Sequence, residues 1–494
     1  MKHVLAIDQG TTGSTCLVFS EDGRVVGRGY REIPQHYPRS GWVEHDANDL
    51  FRCTVDAARE AIESAGTTPD AIGITNQRET VVLWDRESGD PVGHAIVWQD
   101  RRTAARCAEL AASADTAAMV ADRTGLVIDP YFSSTKLEWM LSRGNLRERA
   151  QRGELLAGTV DSWLVWRLTG GAVHATDYTN ASRTMLFDTA RLQWSKELCE
   201  LFGVPLTILP EARRSSGDFG IAGREWFGRG IPITGIAGDQ QAALFGQGCC
   251  NEGEGKNTYG TGAFVLLNLG QSRPAPVGGL LTTVACDENG GPAYAMEGAI
   301  FVAGAAVQWL RDGLGILATA AETETLAGEL ESTDGVYFVP ALAGLGAPHW
   351  SPDARGTIVG LSRGTTRAHL ARAALEAMAY STADVLDLMR ERGGVVFERL
   401  RVDGGASAND WLMQFQADVL RVPVERPDIV DTTALGAAGL AGIAGGVWSS
   451  ADAFMSKRHF DRFEPGDGSA AARDGARQWA RAVRATLAWA RDDL

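Results

Sequence analysis

An aspartate near the middle of the chain lies where an apolar segment gives way to a helical pattern. Residues 231–236 are apolar and partly β-branched, which predicts a short buried strand. Gly238 and Asp239 interrupt this segment, and residues 240–245 continue with a helical pattern. In α/β proteins, ligand chemistry is placed at such strand-to-helix turns. Asp239 is therefore a candidate general base, although an aspartate here can also serve only as the cap of its own helix.

Polar clusters follow two further predicted strands. The apolar segment 71–75 ends in Asn-Gln-Arg-Glu-Thr, which contains Arg78 and Glu79. The apolar segment 95–98 ends at Trp98, before a Gln-Asp-Arg-Arg cluster that is expected to open a helix. Neighbouring Arg and Glu residues usually lie on a solvated surface. At a strand end beside an aromatic ring they can instead form a small polar pocket.

Two hairpins rich in glycine and threonine are predicted, one in each half of the chain. In the first, a strand over 4–7 leads through Asp8 into residues 9–14, and residues 15–19 return as a strand. In the second, the polar stretch 257–262 precedes a strand over 263–269, so the two halves suggest a duplicated architecture. Threonine hydroxyls and backbone N–H groups at such tips can hold phosphate oxygens. An ordinary hairpin with a polar tip gives the same pattern, so both interpretations stay open.

A third glycine-rich turn precedes Asn409. A strand over 400–402 runs into Asp-Gly-Gly-Ala-Ser-Ala-Asn, and a helix is expected over 411–420. A helix N-terminus after a tight glycine turn suits a nucleotide, but Asn409 can equally be only the helix cap. A helix predicted over 299–310 places Gly304 and Gln308 on one face, because they are four residues apart.

The helices that must position these residues have ordinary sequence signals. Asp46 is expected to cap a helix whose apolar face comprises residues 51, 55, 58 and 62 and which ends at Gly66. A second, long helix is expected over 368–389, ended by Gly393. Towards the C-terminus, the tail is expected to end in a surface helix.

The segment 434–448 is apolar and rich in glycine. Glycine recurs there every third residue from Gly436 to Gly445, which predicts a buried helix in close contact with a neighbour. At 15 residues the segment is too short to span a bilayer, so no membrane insertion is expected.

Composition excludes several classes of function. The 494 residues are too many for one core, and a net charge of −15 argues against a nucleic-acid partner. Seven scattered cysteines without CxxC spacing indicate reduced thiols in a cytoplasmic protein. The P-loop and HExxH motifs do not occur in the sequence, and neither does GxGxxG, whose absence removes the simplest dinucleotide-binding and protein-kinase interpretations.

These motifs resemble those of the FGGY family of carbohydrate kinases, in register over nearly the whole chain. The C-terminal signature of the family also fits, from Gly356 to Glu376. The stretches around Arg78, Trp98 and Asp239 look like the branch of the family that acts on glycerol. The matching motifs are AIDQGTT at 6–12, GITNQRET at 73–80, IVWQDRRT at 96–103, GLVIDPYFSSTK at 125–136, DYTNASRTMLF at 177–187, GIAGDQQAALFGQ at 235–247, NTYGTG at 257–262 and RVDGGASAN at 401–409.

The resemblance implies an α/β protein with the two-domain actin-like ATPase (ribonuclease H-like) fold and an active site in the interdomain cleft. Residues 1–250 would hold the polyol and the first phosphate hairpin, and residues 251–494 would bind the nucleotide. The implied reaction is ATP-dependent phosphorylation of glycerol to sn-glycerol 3-phosphate, with Mg²⁺ as cofactor. By analogy with relatives, the protein is expected to form a homodimer or homotetramer.

The resemblance also implies a role for each site residue. Asp239 would be the general base, and Asp8 would hold Mg²⁺. The residues expected to hold glycerol are Arg78, Glu79, Trp98, Tyr131, Asp239, Gln240 and Phe264. Those expected to contact ATP are Thr11, Thr12, Gly13 and Thr261 at the hairpins, and Gly304, Gln308, Gly405 and Asn409 around the nucleoside.

The first hairpin departs from the family pattern. Gly13 and Thr15 stand where many members have serine and arginine. One phosphate contact that the family pattern implies is therefore not assigned in this chain, while Thr11 and Thr12 are retained.

Two other functions are compatible with the sequence. The first is a kinase of the same fold that acts on another polyol or on a ketose. The second is a non-catalytic ATP-binding sensor. Asp8, Arg78, Glu79 and Asp239 argue against the sensor, because a binding module needs no base beside a polyol pocket.

Overall fold

The computed structural model describes residues 1–394 and 396–491. The strands of the first half are β1 (His3–Gln9), β2 (Gly13–Ser20), β3 (Val25–Glu32), β4 (Glu44–His45), β5 (Ala71–Asn76), β6 (Val81–Asp85), β7 (Ala95–Ile96), β8 (Leu155–Thr159), β9 (Ala175–Asp177), β10 (Phe187–Asp188), β11 (Gln193–Trp194), β12 (Glu211–Arg213), β13 (Ile221–Ala222) and β14 (Ile231–Gly238). Those of the second half are β15 (Glu254–Tyr259), β16 (Ala263–Asn268), β17 (Leu281–Cys286), β18 (Pro292–Ile300), β19 (Tyr337–Val339), β20 (Thr357–Val359), β21 (Arg399–Asp403), β22 (Val424–Pro427) and β23 (Phe460–Phe463).

Helices connect and cover these strands. They are α1 (Ala47–Ala65), α2 (Ala104–Ala111), α3 (Ala114–Thr124), α4 (Ser133–Leu141), α5 (Leu146–Gln151), α6 (Val160–Leu168), α7 (Tyr178–Ala181), α8 (Lys196–Phe202), α9 (Arg224–Phe227), α10 (Asp239–Gly246), α11 (Gly304–Gln308), α12 (Glu322–Gly328), α13 (Arg367–Gly393), α14 (Asp410–Leu420), α15 (Thr432–Ala444), α16 (Ala451–Met455) and α17 (Ser469–Ala490). Short 3₁₀ turns cover Leu206–Ile208 and Gly405–Ala408, and a π turn covers Trp309–Gly313. Within the described part of the chain, none of the helices combines the length and the apolar character needed to cross a membrane.

Two mixed sheets, one in each half, share the same strand plan. The first has the order β13-β14-β5-β1-β2-β3, in which β14, β5 and β1 are parallel and the other neighbours antiparallel. The second has the order β17-β18-β16-β15-β21-β22-β23, in which β15, β21 and β22 are parallel. The two predicted hairpins, β1–β2 and β15–β16, therefore occupy equivalent places in the two sheets.

Helix α1 covers one face of the first sheet. Asp46 caps it by accepting hydrogen bonds from two backbone N–H groups of the first turn. Gly66 ends it in the left-handed conformation, with φ at 62°. The helix packs on Ile7 and Cys16 in one core cluster. Both predicted ends of this helix are confirmed.

Helix α15 covers the opposite face of the first sheet, although it comes from the second half of the chain. It packs with Val4, Ala6 and Phe19 in one core cluster. A Cβ on Gly436 would lie only 1.8 Å from the carbonyl oxygen of Ala242 in α10, so α10 and α15 meet backbone to backbone. The predicted buried helix with close-packed glycines is confirmed.

Four element boundaries differ from the sequence predictions. The helix expected over 299–310 begins at Gly304, because β18 stays paired with β16 as far as Ile300. The helix expected to end at Gly393 includes that residue, and Gly394 takes the left-handed conformation instead. The strand expected over 95–98 covers only Ala95–Ile96, and the next helix begins at Ala104 rather than within the polar cluster.

Candidate active site between the two sheets

Asp239 is the first residue of α10 and directly follows β14. Gly238 is the N-cap of this helix, so the cap position does not fall to Asp239. The Oδ1 atom of Asp239 accepts a hydrogen bond from Gln240 N at 2.7 Å and lies 3.1 Å from Arg78 Nε. The side chain is 32% exposed. A carboxylate at the positive end of a helix, open on one side, can accept a proton from a bound hydroxyl.

Arg78 is surrounded by acceptors. Its terminal nitrogens donate to the two oxygens of Glu297, at 2.6 and 3.1 Å, and to Gln241 Oε1 at 3.2 Å. Nη2 also donates to Tyr131 Oη at 3.4 Å. With the terminal N–H groups engaged, the Nε edge is the one that faces Asp239. Arg78 therefore lies beside the predicted base, with its guanidinium fixed by other residues.

Arg78 belongs to a buried group of alternating charges, the charge box, which comprises Arg78, Glu79, Arg183 and Glu297. Arg183 Nε donates to Glu79 Oε1 at 2.6 Å, and Arg183 Nη2 donates to Glu297 Oε1 at 2.9 Å. Arg78 Nε lies 3.8 Å from Glu79 Oε1. Each of these side chains is at most 2% exposed. The two cations balance the two anions, which is the condition for burying such charges together.

Arg183 and Glu297 escape prediction from the sequence. Arg183 lies in the motif at 177–187, where it is the one cationic residue. Glu297 lies in the largely apolar β18. A charged residue in an otherwise apolar strand is rarely buried without a partner, so the position of Glu297 carried a usable signal.

Burial and the two arginines act in opposite directions on the pKa values of the two carboxylates in the charge box. Burial alone raises the pKa of Glu297, but the cations of Arg183 and Arg78 outweigh it and lower that pKa to about 2. The stability that Glu297 contributes is therefore present above its ordinary pKa and is lost only as the pH falls towards 2. For Glu79, burial outweighs the attraction of Arg78 and Arg183, and its pKa is raised.

Glu79 has an unusual backbone conformation. Its φ is 61°, in the left-handed region that non-glycine residues seldom adopt. Ser133 Oγ donates to its carbonyl oxygen at 3.1 Å, and Arg183 holds its side chain. Such a conformation costs roughly 1–3 kcal/mol and is found where the surroundings fix it, often at functional sites.

Aromatic side chains from both halves line the site. Trp98 and Tyr131 meet edge to face, with ring centroids 5.6 Å apart. Trp98 Nε1 donates to Thr11 Oγ1 at 2.9 Å, which joins this aromatic wall to the first hairpin. Phe264 lies in β16, and strand register places it on the same face of the second sheet as Glu297. The predicted aromatic residues therefore come from both halves of the chain, Trp98 and Tyr131 from turns of the first half and Phe264 from a strand of the second.

Gln240 is held from the second half by a buried lysine that the sequence did not reveal. Lys256 Nζ donates to Gln240 Oε1 and, at 2.7 Å, to Thr258 Oγ1. Burial lowers the pKa of Lys256 to about 8, against the raising effects of Asp403 and Asp239. Lys256 occupies the oxygen of the Gln240 amide, and no residue in the described part of the chain accepts from its NH₂ group, so that group can turn to a ligand.

The first hairpin tip is fixed by side chains beneath it. Gln35 Nε2 donates to Thr11 O at 2.8 Å, and Gln77 Nε2 donates to Gly10 O at 3.3 Å. Thr12 is exposed at the tip. A rigid tip with an outward hydroxyl is suited to phosphate oxygens.

Gly13 lies under the ring of Tyr30. A Cβ on Gly13 would lie 2.5 Å from Tyr30 Oη and 2.6 Å from its Cε2. The ring comes from β3, where Tyr30 pairs with Thr15, and it is 48% exposed. Tyr30 thus fills the space that a serine at position 13 needs, and both departures from the family pattern adjoin this ring.

We expect Gly13→Ser to lower stability by about 1 kcal/mol, because the new side chain must displace the Tyr30 ring. Adding Tyr30→Ala should remove this cost, and urea unfolding of the full mutant cycle measures the coupling. Tyr37→Ala is the control partner, since Tyr37 is also exposed, at 67%. If Gly13→Ser lowered the free energy of unfolding equally in the presence and absence of the Tyr30 ring, the contact between position 13 and Tyr30 would be contradicted.

The second hairpin and the start of α11 form one backbone unit. Thr261 O accepts hydrogen bonds from Ala303 N and Ala305 N, at 2.8 and 3.1 Å. A Cβ on Gly304 would lie 2.7 Å from Gly260 O, so this contact needs a glycine. Thr261 and Gln308 are exposed. The hairpin tip and the predicted nucleoside contacts on α11 therefore lie side by side.

The glycine turn after β21 adjoins the same hairpin. A Cβ on Gly404, where φ is 83°, would lie 2.3 Å from Tyr259 O. Gly405 is exposed, and Asn409 accepts from Leu412 N at 2.9 Å as the cap of α14. The Asn409 amide also donates to Thr323 Oγ1 at 3.3 Å. The cap role is therefore observed, on a turn that packs against the hairpin.

Asp8 is an aspartate of β1 whose protonation is influenced by two other carboxylates. Burial, and then the charges of Asp239 and Asp431, raise the pKa of Asp8 to about 8. Mutual repulsion of this kind favours a cation nearby. In residues 1–394 and 396–491, no group of three or more His, Cys, Asp or Glu side chains is arranged to hold a metal ion by itself. An ion here would depend on water and on nucleotide phosphates, which is typical of Mg²⁺.

Comparison with known proteins agrees with this geometry. The profile of the N-terminal domain of the FGGY family of carbohydrate kinases matches residues 3–246, and that of the C-terminal domain matches residues 255–445. The chain is 52% identical over 494 residues to glycerol kinase 2 of Thermotoga maritima, covering 99% of both proteins. It is also 52% identical to the glycerol kinase of Rhodopirellula baltica, covering 99% of this chain and 92% of that protein.

Solved structures agree as well. The crystal structure of Plasmodium falciparum glycerol kinase with ADP matches with a TM-score of 0.93 at 35% identity, over 99% of this chain and 98% of that one. A ligand-bound xylulose kinase from Lactobacillus acidophilus has a TM-score of 0.89 at 19% identity, over 99% of each chain, and shows the fold alone. The expected two-domain actin-like ATPase fold is confirmed. The chain belongs to the FGGY family of carbohydrate kinases.

Proposed function

We propose that this chain transfers the terminal phosphoryl group of ATP to a terminal hydroxyl of glycerol, giving sn-glycerol 3-phosphate and ADP. The observation that carries the proposal is the partly exposed carboxylate of Asp239, 3.1 Å from Arg78 Nε at the start of a helix. The 52% identity to glycerol kinases over the full chain supports the acceptor, and the ADP of the Plasmodium falciparum enzyme supports the donor.

In the proposed mechanism Asp239 accepts the proton of the attacking hydroxyl. The transition state of phosphoryl transfer is loose, so the proton leaves late and positioning supplies most of the rate. Arg78 and Glu79 orient the other hydroxyls, and the Gln240 amide donates to one of them. Trp98, Tyr131 and Phe264 pack against the C–H face of the polyol.

The proposed nucleotide site spans both hairpins. Thr11, Thr12, Gly13 and Thr261 contact the phosphates, and Gly304, Gln308, Gly405 and Asn409 line the nucleoside. Asp8 would hold Mg²⁺, mostly through water, in keeping with the surrounding carboxylates. When bound, the ion neutralises charge that develops on the phosphate oxygens.

Glycerol-dependent formation of ADP from Mg-ATP tests the proposal. We expect saturable turnover that stops when glycerol is omitted. A panel of other polyols and ketoses is measured in parallel, because relatives of this fold phosphorylate other substrates. Turnover with one of these but not with glycerol would change the substrate, and absence of turnover with all of them would favour the sensor.

Compartment, domain division and assembly are also part of the proposal. All seven cysteines are free thiols and six are buried, which supports a reducing compartment such as the cytoplasm.

The profile boundaries at 246 and 255 support a division into residues 1–250 and 251–494. Light scattering of the purified protein tests the proposed homodimer or homotetramer.

A further inference from the structure

Glu297 reaches into the site from the second half of the chain. It lies in β18 opposite Leu266 of β16, and its side chain is fully buried, at 0% exposure. Arginines of the first half use both carboxylate oxygens, since Arg78 donates to both and Arg183 to one. Among the members of the charge box, Glu297 alone comes from the second sheet.

We propose that Glu297 is a positioning residue for phosphoryl transfer and acts through Arg78. The bidentate contact at 2.6 and 3.1 Å fixes the plane of the guanidinium. That plane turns the Nε edge towards Asp239, at 3.1 Å, and keeps the terminal nitrogens away from it. The inference rests on the proposed function, because it takes Asp239 as the base.

Loss of Glu297 changes which edge of Arg78 meets the base. The released terminal nitrogens can form a bidentate pair with the Asp239 carboxylate, the geometry that arginine prefers. Such a pair occupies the oxygens that must accept the proton of the substrate. Glu297 therefore keeps Arg78 close to Asp239 without letting it cover the carboxylate.

Stability alone does not account for this buried charge. Replacing buried ion pairs by apolar side chains of similar volume is often neutral or stabilising. The residues beside Glu297 in β18 are largely apolar, so an apolar side chain would suit the strand if Arg78 and Arg183 were replaced by apolar residues as well. An apolar side chain cannot, however, direct Arg78 or, through Arg183, hold Glu79.

Lys256 is a second buried charged residue of the second sheet that holds a side chain of the first half. It lies in β15 of the second sheet and holds Gln240 of α10 by its side-chain oxygen. Side chains of the second sheet thus complete the site formed by the first. The base and its neighbours are correctly oriented only when the two sheets occupy the observed positions.

Steady-state kinetics of Glu297→Gln and Glu297→Asp test the proposal. Glutamine keeps the shape of the side chain but removes its charge, whereas aspartate keeps the charge and withdraws it by one methylene group. We expect both variants to lower kcat/KM for glycerol by about 10- to 100-fold, as a misdirected group does. The KM for ATP should stay within about twofold, since the nucleotide contacts are separate.

Glu376→Gln is the matched control. Glu376 is a buried glutamate of the second half, 6% exposed, and accepts from Arg372 Nε at 2.8 Å outside the site. It loses the same charge from a similar ion pair. We expect its KM values for glycerol and ATP to remain within about twofold of wild type.

The inference would be overturned if Glu297→Gln left kcat/KM for glycerol unchanged, or if it raised the KM values for glycerol and ATP equally. It would also be overturned if Glu297→Asp had the kcat/KM of the wild type. If melting curves and ADP calorimetry show that Glu297→Gln does not fold, the inference is tested by the kcat/KM of Glu297→Asp for glycerol alone. A wild-type protein without glycerol-dependent turnover overturns the proposed function and this inference together. An active wild type with unaffected variants overturns the inference alone.

Discussion

Replacing Asp239 by asparagine is expected to lower turnover with glycerol and Mg-ATP by roughly 10²–10⁴, the range for loss of a general base. Asparagine keeps the size of the side chain but cannot take up the proton, and it loses the ion pair with Arg78 Nε at 3.1 Å. Binding of nucleotide should persist, because both hairpins are unchanged. Steady-state ADP formation measures kcat, and calorimetry with ADP measures the retained binding.

Asp49 provides a matched control for this substitution. It lies in the first turn of α1, contacts Arg52 Nη2 at 2.8 Å and has a side chain 35% exposed, against 32% for Asp239. Asp49→Asn removes a similar charge from a similar place on a helix, and its kcat should stay within about twofold of wild type. An Asp239→Asn enzyme that keeps half of the wild-type turnover would contradict the assignment of the base.

Gly436→Ala is expected to destabilise the protein by about 2–3 kcal/mol, in the upper part of the range for overpacked cores. The added Cβ would lie 1.8 Å from the carbonyl oxygen of Ala242, and a backbone atom cannot rotate away. Helices α10 and α15 must therefore move apart. Because α10 begins at Asp239, we expect kcat to fall as well. Urea unfolding and steady-state kinetics measure the two effects.

Gly328→Ala is the corresponding control. Gly328 is the last residue of α12, and apart from its chain neighbours and the backbone of its own helix no described atom lies within 4 Å of a Cβ added there. Alanine at this position should be neutral or stabilise by about 0.4–1 kcal/mol, through the unfolded chain. Similar stabilities of the two alanine variants would contradict the close approach of α10 and α15.

Elements whose ends depend on adjacent residues could be predicted from the sequence. Asp46, Gly66 and Asn409 end or begin helices as expected, because a cap bonds groups only two to four residues away. The start of α11 could not be predicted in this way. Whether residues 299–303 form strand or helix depends on the pairing of β18 with β16, which are separate segments of the chain.

The charge box shows the same limit at the site. Arg78 and Glu297 are 219 residues apart in the sequence, and Arg183 and Glu297 are 114 apart. No local pattern indicates which distant partner a buried charge will meet. The residues predicted for glycerol and ATP came instead from resemblance to a family, and their individual roles stay predictions.

The hydrogen bond from Trp98 Nε1 to Thr11 Oγ1, 2.9 Å long, joins the aromatic wall to the first hairpin. A nucleotide whose phosphates order Thr11 also restrains the Trp98 ring, and a polyol packed on that ring restrains Thr11. Each ligand then lowers the entropy cost of binding the other. Thermodynamic linkage requires this effect to be mutual. Under the proposed function, we therefore expect ATP and glycerol to strengthen each other's binding by one common factor, which is positive cooperativity.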